Sequence, residues 1–237
     1  MRSRGQCDGI GTMATRANRQ RASATGPDRT GPTSPTPLTI LTPTFFEYGA
    51  VRCLLPKARV VRTGISLSHW SEVPDTATVI VCGLAGALDA ELTPGTIVIP
   101  ERVGLADGRM IGCDAVLTEA LCTAARALRF EPDTRPMLTA PTLVTGAERN
   151  TWAQRGFAAV DMEMGLLDQP GIRLAGIRVI LDTPSHEISG EWLSVRSTVL
   201  RPALWAQLLW MGWKAPSYSL RAARVLKAAL ALLTEAI

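Results

Sequence analysis

From residue 38 onward, short apolar runs alternate with longer segments of mixed polarity. Leu38 to Thr42, Arg59 to Thr63, Thr78 to Cys82, Thr96 to Ile99 and Gly176 to Leu181 are rich in Val, Ile or Thr and bounded by Gly, Pro or Asp. Such runs predict buried strands. Between the fourth and fifth, Ala115 to Arg129 places Val116, Leu117, Ala120, Leu121, Ala124 and Leu128 at helical spacing. After Trp192 the pattern predicts helix to the end of the chain, broken at Pro202 and again near Pro216, with no further strand. The alternation predicts an α/β three-layer sandwich: a central mixed β-sheet flanked by helices, with a helical C-terminus. The stretch from Gly64 to Thr78 is short for a crossover helix and contains Pro74, so the layer is expected to be thin there.

Pro27 to Pro37, with Gly31, Pro32 and Pro35 inside it, cannot hold a helix or a central strand. The expected organisation is therefore a disordered or mis-started leader over 1–37, with Met13 an alternative start. An α/β domain over 38–192 follows, then C-terminal helices over 193–237 packing on it.

Charge changes the picture only through its location. The 237 residues carry a net charge of +4. Six of the 25 basic residues and two of the 21 acidic ones fall within 1–37, so the remainder balances at 19 of each. A balanced body has no electrostatic footprint for nucleic acid. The five cysteines are widely spaced without a C-x-x-C pair, which signals neither a disulfide framework nor a zinc site. No apolar run is long enough to span a bilayer, and the start lacks an apolar signal region, so a cytoplasmic location is expected.

Ligands of open α/β sheets collect beyond the carboxyl ends of the strands. Four segments lie at such ends: Thr42-Pro43-Thr44-Phe45-Phe46-Glu47, the small-residue run Cys82 to Leu88, Val160-Asp161-Met162-Glu163, and Asp182. The second is expected to be a turn at which Gly83, Ala85 and Gly86 let backbone N–H groups approach a ligand. It is not G-x-G-x-x-G, so no dinucleotide fingerprint is present.

Together these segments resemble the nucleoside phosphorylase/nucleosidase family over about Leu38 to Trp192. Gly83 to Leu88 followed by Leu92 to Pro100 is similar to the family's glycine-rich turn and following strand. Val160-Asp161-Met162-Glu163 is similar to its V-E-M-E motif, and Val179-Ile180-Leu181-Asp182 to its x-I-S-D. The Gly-Leu-Ala-Gly wording and the helical C-terminus are most similar to the hopanoid-associated phosphorylase branch, which implies adenosylhopane, an adenine nucleoside with a triterpenoid at its 5′ carbon, as substrate. The resemblance also implies a homo-oligomer, a small purine nucleoside as partner, and no cofactor beyond phosphate as a co-substrate.

Breaking an N-glycosidic bond leaves positive charge on the sugar and negative charge on the departing base. Asp182, desolvated at the rim of an apolar strand, is suited to protonate the base. Glu163 would accept hydrogen bonds from the ribose hydroxyls, and Met162 would pack beneath the sugar. By resemblance, Glu47 falls where the related methylthioadenosine/S-adenosylhomocysteine nucleosidases hold the carboxylate that activates water; an exposed glutamate opening a helix would account for it equally well. These acidic and glycine-bearing segments are expected to converge at one rim, with residues 163 and 182 opening into one cavity. Pro43, Val81 and Leu84 stand where phosphorylases of this family have phosphate-binding groups and offer no donor side chain; Gly64 and neighbouring Ser66 or Ser68 are candidates to contribute to an anion site, but no cation is evident near them, which favours water as nucleophile or a degenerate enzyme. The apolar Ala203 to Trp213 segment, and Arg221, Arg224 and Lys227 beyond it, fit packing on the core or contact with an anionic membrane surface. A catalytically degenerate, nucleoside-binding relative is the alternative reading.

Overall fold

The computed structural model describes residues 38–69, 78–188 and 205–235. The chain builds one nine-stranded mixed sheet. In order, the elements are β1 (Leu38–Thr42), α1 (Phe45–Leu54), β2 (Arg59–Arg62), a 3-10 turn at Ile65–Leu67, β3 (Thr78–Ala87), β4 (Ile97–Val98), β5 (Arg102–Leu105) and β6 (Met110–Gly112). Then come α2 (Ala115–Ala127), β7 (Met137–Thr139), α3 (Ala147–Gln154), β8 (Ala159–Asp161), a 3-10 turn at Met164–Leu167, β9 (Arg173–Asp182) and α4 (Trp205–Glu235).

β3 is the hub. Its first half pairs in parallel with β1, nearly all of it pairs in parallel with β9, and Gly86 and Ala87 at its end pair antiparallel with β8. One face of the sheet packs Ile40, Ile80, Ile177 and Val179 against Val51 of α1, Leu121 of α2 and Val225 and Leu226 of α4. The opposite face packs Leu41, Val79, Val81 and Ile180 against Met164 and Leu167 of the second 3-10 turn. Burial on both faces is why β3 and β9 read as continuous apolar runs rather than alternating ones.

Three sequence expectations change. The glycine-bearing run Gly83 to Ala87 is not a turn; it is the second half of β3. Two β-sheet neighbours, β9 and then β8, satisfy its backbone, which outweighs the poor strand propensity of Gly and Ala. Helix α4 runs unbroken past Pro216. Proline costs a helix interior about 3 kcal/mol. Burial of Ala215, Tyr218, Ala222, Ala223, Val225, Leu226 and Ala229 offsets it. That apolar stripe is covered by α1 and α2, while Arg224 and Lys227 are exposed and Arg221 donates to the Gly95 carbonyl. Finally, β5 to β8 and α3 were not anticipated. The expected break at Pro202 and the Pro74 segment lie outside the described residues. No helix among the described residues is long and apolar enough to cross a membrane.

Candidate active site

β1 stops at Thr42, while β3 and β9 continue past it as a paired extension of Gly83 to Ala87 beside Arg178 to Asp182, flanked by β8 on β3 and β4 on β9. Strand partners in a parallel pair share a face, and here Gly83 lies beside Arg178 and Gly86 beside Asp182. The glycines clear space for side chains. A Cβ on Gly83 would collide with Glu47 Oε1 and Arg178 Nη1, and one on Gly86 would lie 2.9 Å from Asp182 Oδ1.

Glu47 reaches this extension because α1 begins directly after β1, with Thr44 as its N-cap and Glu47 in its first turn. Its Oε1 accepts the Leu84 N–H at 2.7 Å and its Oε2 the Thr44 N–H at 2.5 Å. Only 2% exposed, it is not the solvated helix-opening glutamate that was the alternative expectation. Burial raises its pKa, against the opposing pull of Arg178 and the hydrogen bonds it accepts.

Arg178 is fully buried. Its Nη2 donates to Asp161 Oδ2 and, at 3.1 Å, to Glu163 Oε2, and Glu47 feels the same charge. Asp161 also accepts from Thr139 Oγ1 at 2.6 Å and from the Met164 N–H at 3.1 Å. Asp161, the first acid of the Val160-Asp161-Met162-Glu163 motif, is thus held by the fold. Glu163 in contrast reaches outward: its Oε1 accepts the Ser66 N–H at 3.1 Å. Desolvation, reinforced by Asp161 and Glu47 and opposed by Arg178, pushes its pKa up to about 7. One guanidinium serves three buried carboxylates, and burial pushes both Glu47 and Glu163 toward their protonated forms.

Asp182 closes β9 and is 5% exposed. Burial raises its pKa, as expected from the sequence, but the structure adds an opposing partner: Arg149, 1% exposed, donates Nη2 to Asp182 Oδ2. The other guanidinium nitrogens of Arg149 donate to the Ala87 carbonyl at 2.8 Å and the Val144 carbonyl at 2.9 Å. Arg149, Arg178 and Asp161 are the site residues that sequence reasoning did not single out. Arg178 sits inside an otherwise apolar strand, a placement that signals a buried charge with a partner; Arg149 lies in a polar helix that gives no such signal.

The carboxylates do not open into one shared cavity. Asp182, Arg149, Gly86, Asp161 and Met162 line a pocket of about 40 Å³. A second cavity of about 560 Å³ is lined by Thr44, Phe45, Arg62, Ser66, His69 and Met162 among others. Met162 is common to both, and Glu163 adjoins the larger through Ser66. Gly83 lies beneath Glu47, and Ala85 packs into the apolar layer of the opposite face. The expectation of no cation near Gly64 is overturned. Arg62 and His69 share the cavity with Gly64, Ser66 and Ser68, brought there by the end of β2 and the tight turn after it.

No protein-family model matches the sequence, and none of the curated proteins does. Solved structures do match. A methylthioadenosine nucleosidase mutant of Helicobacter pylori with 5′-methylthioadenosine in its active site is 14% identical, with a TM-score of 0.66 over 83% of this chain and 99% of that one. Futalosine hydrolase of the same organism is 14% identical, with a TM-score of 0.64 over 81% and 96%. The S-adenosylhomocysteine nucleosidase of Streptococcus pyogenes, in complex with 5-methylthiotubericidin, is 15% identical, with a TM-score of 0.63 over 84% and 98%. The chain has the fold of these nucleosidases, which is the fold the sequence resemblance implied.

Proposed function

We propose that this protein cleaves the N-glycosidic bond of a purine nucleoside, with adenine as the base and water as the nucleophile. The observation that carries the reading is Met162, which lines both the Asp182 pocket and the larger cavity that Glu163 adjoins through Ser66. A base against Asp182 and a sugar over Met162 would place the scissile bond between an acid and a base.

In the proposed step, Asp182 gives its proton to a ring nitrogen of the departing base, and the bond between that base and C1′ breaks. The developing positive charge on the sugar is stabilised by Glu163, which also accepts hydrogen bonds from the ribose hydroxyls. A water oxygen bonds to C1′ as its proton passes to Glu47; the two carboxyls then reset through solvent. Water is preferred over phosphate because Arg178, the cation among these carboxylates, is already shared by three of them. A phosphate placed there would face uncompensated negative charge.

The test is release of adenine from adenosine and from 5′-methylthioadenosine, with and without phosphate. Release independent of phosphate is expected, and Asp182→Asn should lower kcat by about 10²- to 10⁴-fold. Full activity in that variant would overturn the role of Asp182, and phosphate-dependent release would overturn hydrolysis. The Arg149–Asp182 ion pair favours a second reading, a nucleoside-binding protein without turnover, because it occupies the acid and leaves only about 40 Å³ beside it. Calorimetry that shows nucleoside binding under conditions where no base is released would select that reading.

A further inference from the structure

The larger cavity has a chemistry that the cleavage step does not use. Arg62 and His69 are exposed on its wall beside Ser66 and Ser68, and neither has an ion-pair or side-chain hydrogen-bond partner among the described residues. The turn that presents them is strained. Gly64, Ser66 and Leu67 have φ of 75°, 53° and 58°, and such conformations in non-glycine residues persist where the surrounding structure enforces them. A Cβ on Gly64 would collide with Ser68 Oγ and His69 Nδ1, so glycine is what allows hydroxyl and imidazole to fold together here. The result is a donor-rich wall, with the Arg62 guanidinium on it, facing a cavity of about 560 Å³.

We propose that this wall binds an anion carried at the 5′ position of the nucleoside, a phosphate or carboxylate held by Arg62 and His69 with the Ser66 and Ser68 hydroxyls. The proposal rests on the nucleoside reading above and names the substrate class for it. Met162 lines both cavities, so a sugar placed over it would lie between the base pocket and this one. A free phosphate acting as nucleophile fits less well. It would have to approach C1′ among Glu47, Asp161 and Glu163, which are buried, whereas Arg62 and His69 are exposed. An anion tethered at 5′ would reach Arg62 on that exposed wall without entering the Glu47–Arg178 cluster. A purely apolar 5′ tail, such as the triterpenoid implied by the sequence resemblance, would leave the Arg62 guanidinium and the His69 imidazole unused, although Phe45 and Ile65 on the same wall can cover the carbon atoms that link an anion to the sugar.

The experiment compares adenosine, 5′-methylthioadenosine and adenosine 5′-monophosphate for base release and, separately, for binding by calorimetry at two salt concentrations. The monophosphate is expected to exceed both neutral nucleosides at least tenfold in kcat/KM or in affinity, with the advantage shrinking at high salt. Arg62→Ala should reduce the ratio of monophosphate to adenosine at least tenfold, and Arg62→Lys should restore part of it. If no compound is turned over but the monophosphate still binds tenfold tighter in an Arg62-dependent way, the anion site stands and only the cleavage reading fails. If the neutral nucleosides are cleaved and the monophosphate has no advantage, the anion site is wrong and cleavage stands. Binding of inorganic phosphate that depends on Arg62, without any preference for the monophosphate over adenosine, also overturns it.

Discussion

Glu163 is where proton affinity and folding meet most directly. Its carboxyl has an ordinary pKa of 4.5 in the unfolded chain and about 7 when buried beside Asp161 and Glu47. Below 4.5 both states hold the proton and the group favours neither. As pH rises, the unfolded chain releases its proton first, so stability should decline from pH 4.5 until about 7 and then level off. Urea unfolding of the wild type and Glu163→Gln across that range measures it; the variant should lack this part of the slope. On the proposed function the same ionisation should govern substrate binding, since only the carboxylate accepts from two ribose hydroxyls. KM should therefore fall as pH rises through about 7. Arg149 acts on Asp182 in the opposite sense, by favouring loss of its proton. Replacing it by methionine removes that pull, so the alkaline limb of the kcat–pH profile should move to higher pH in Arg149→Met. An unmoved limb would separate Arg149 from the acid's titration.

Among the elements, β3 shows most clearly what the sequence reveals and what it hides. Its first half was legible because Val79, Ile80 and Val81 are β-branched and buried on both faces. Its second half was not, since Gly-Leu-Ala-Gly-Ala lacks that chemistry and reads as a turn. The glycines are needed because Glu47 and Asp182 fill the space above them. Gly83→Ala should accordingly cost about 1–3 kcal/mol through overpacking, read as a lower unfolding midpoint, and should displace Glu47 from the extension. The candidate acids at residues 47, 163 and 182 were legible from their places after apolar runs. Their partners were not, because Arg149 and Arg178 come from an undistinguished helix and from within a strand. Short strands such as β7 and β8, three residues each, carry too few positions to show a period.

At the scale of the whole molecule, α4 is the cover of one face. It buries Ala222, Ala223, Val225, Leu226 and Ala229 against α1 and α2, and α1 is also the helix that delivers Glu47. A chain ended at residue 204 should expose that face, lose its cooperative thermal transition and bind hydrophobic dyes. Retention of a sharp transition would mean that the sheet and the remaining helices form a sufficient core. The sequence showed the apolar stripe of α4 correctly but not what it covers, because a helix facing a protein core and one facing lipid present the same pattern.

Met162, whose side chain carries a thioether and three rotatable bonds, lines both cavities. A wall of that kind yields to what presses on it. Two small fragments, a free purine and a separate sugar phosphate, would then sense each other across Met162, and their affinities would not be independent. Joined by a short tether, they would gain from effective concentration as well as from contact, which makes this side chain the natural point to bridge in building an inhibitor.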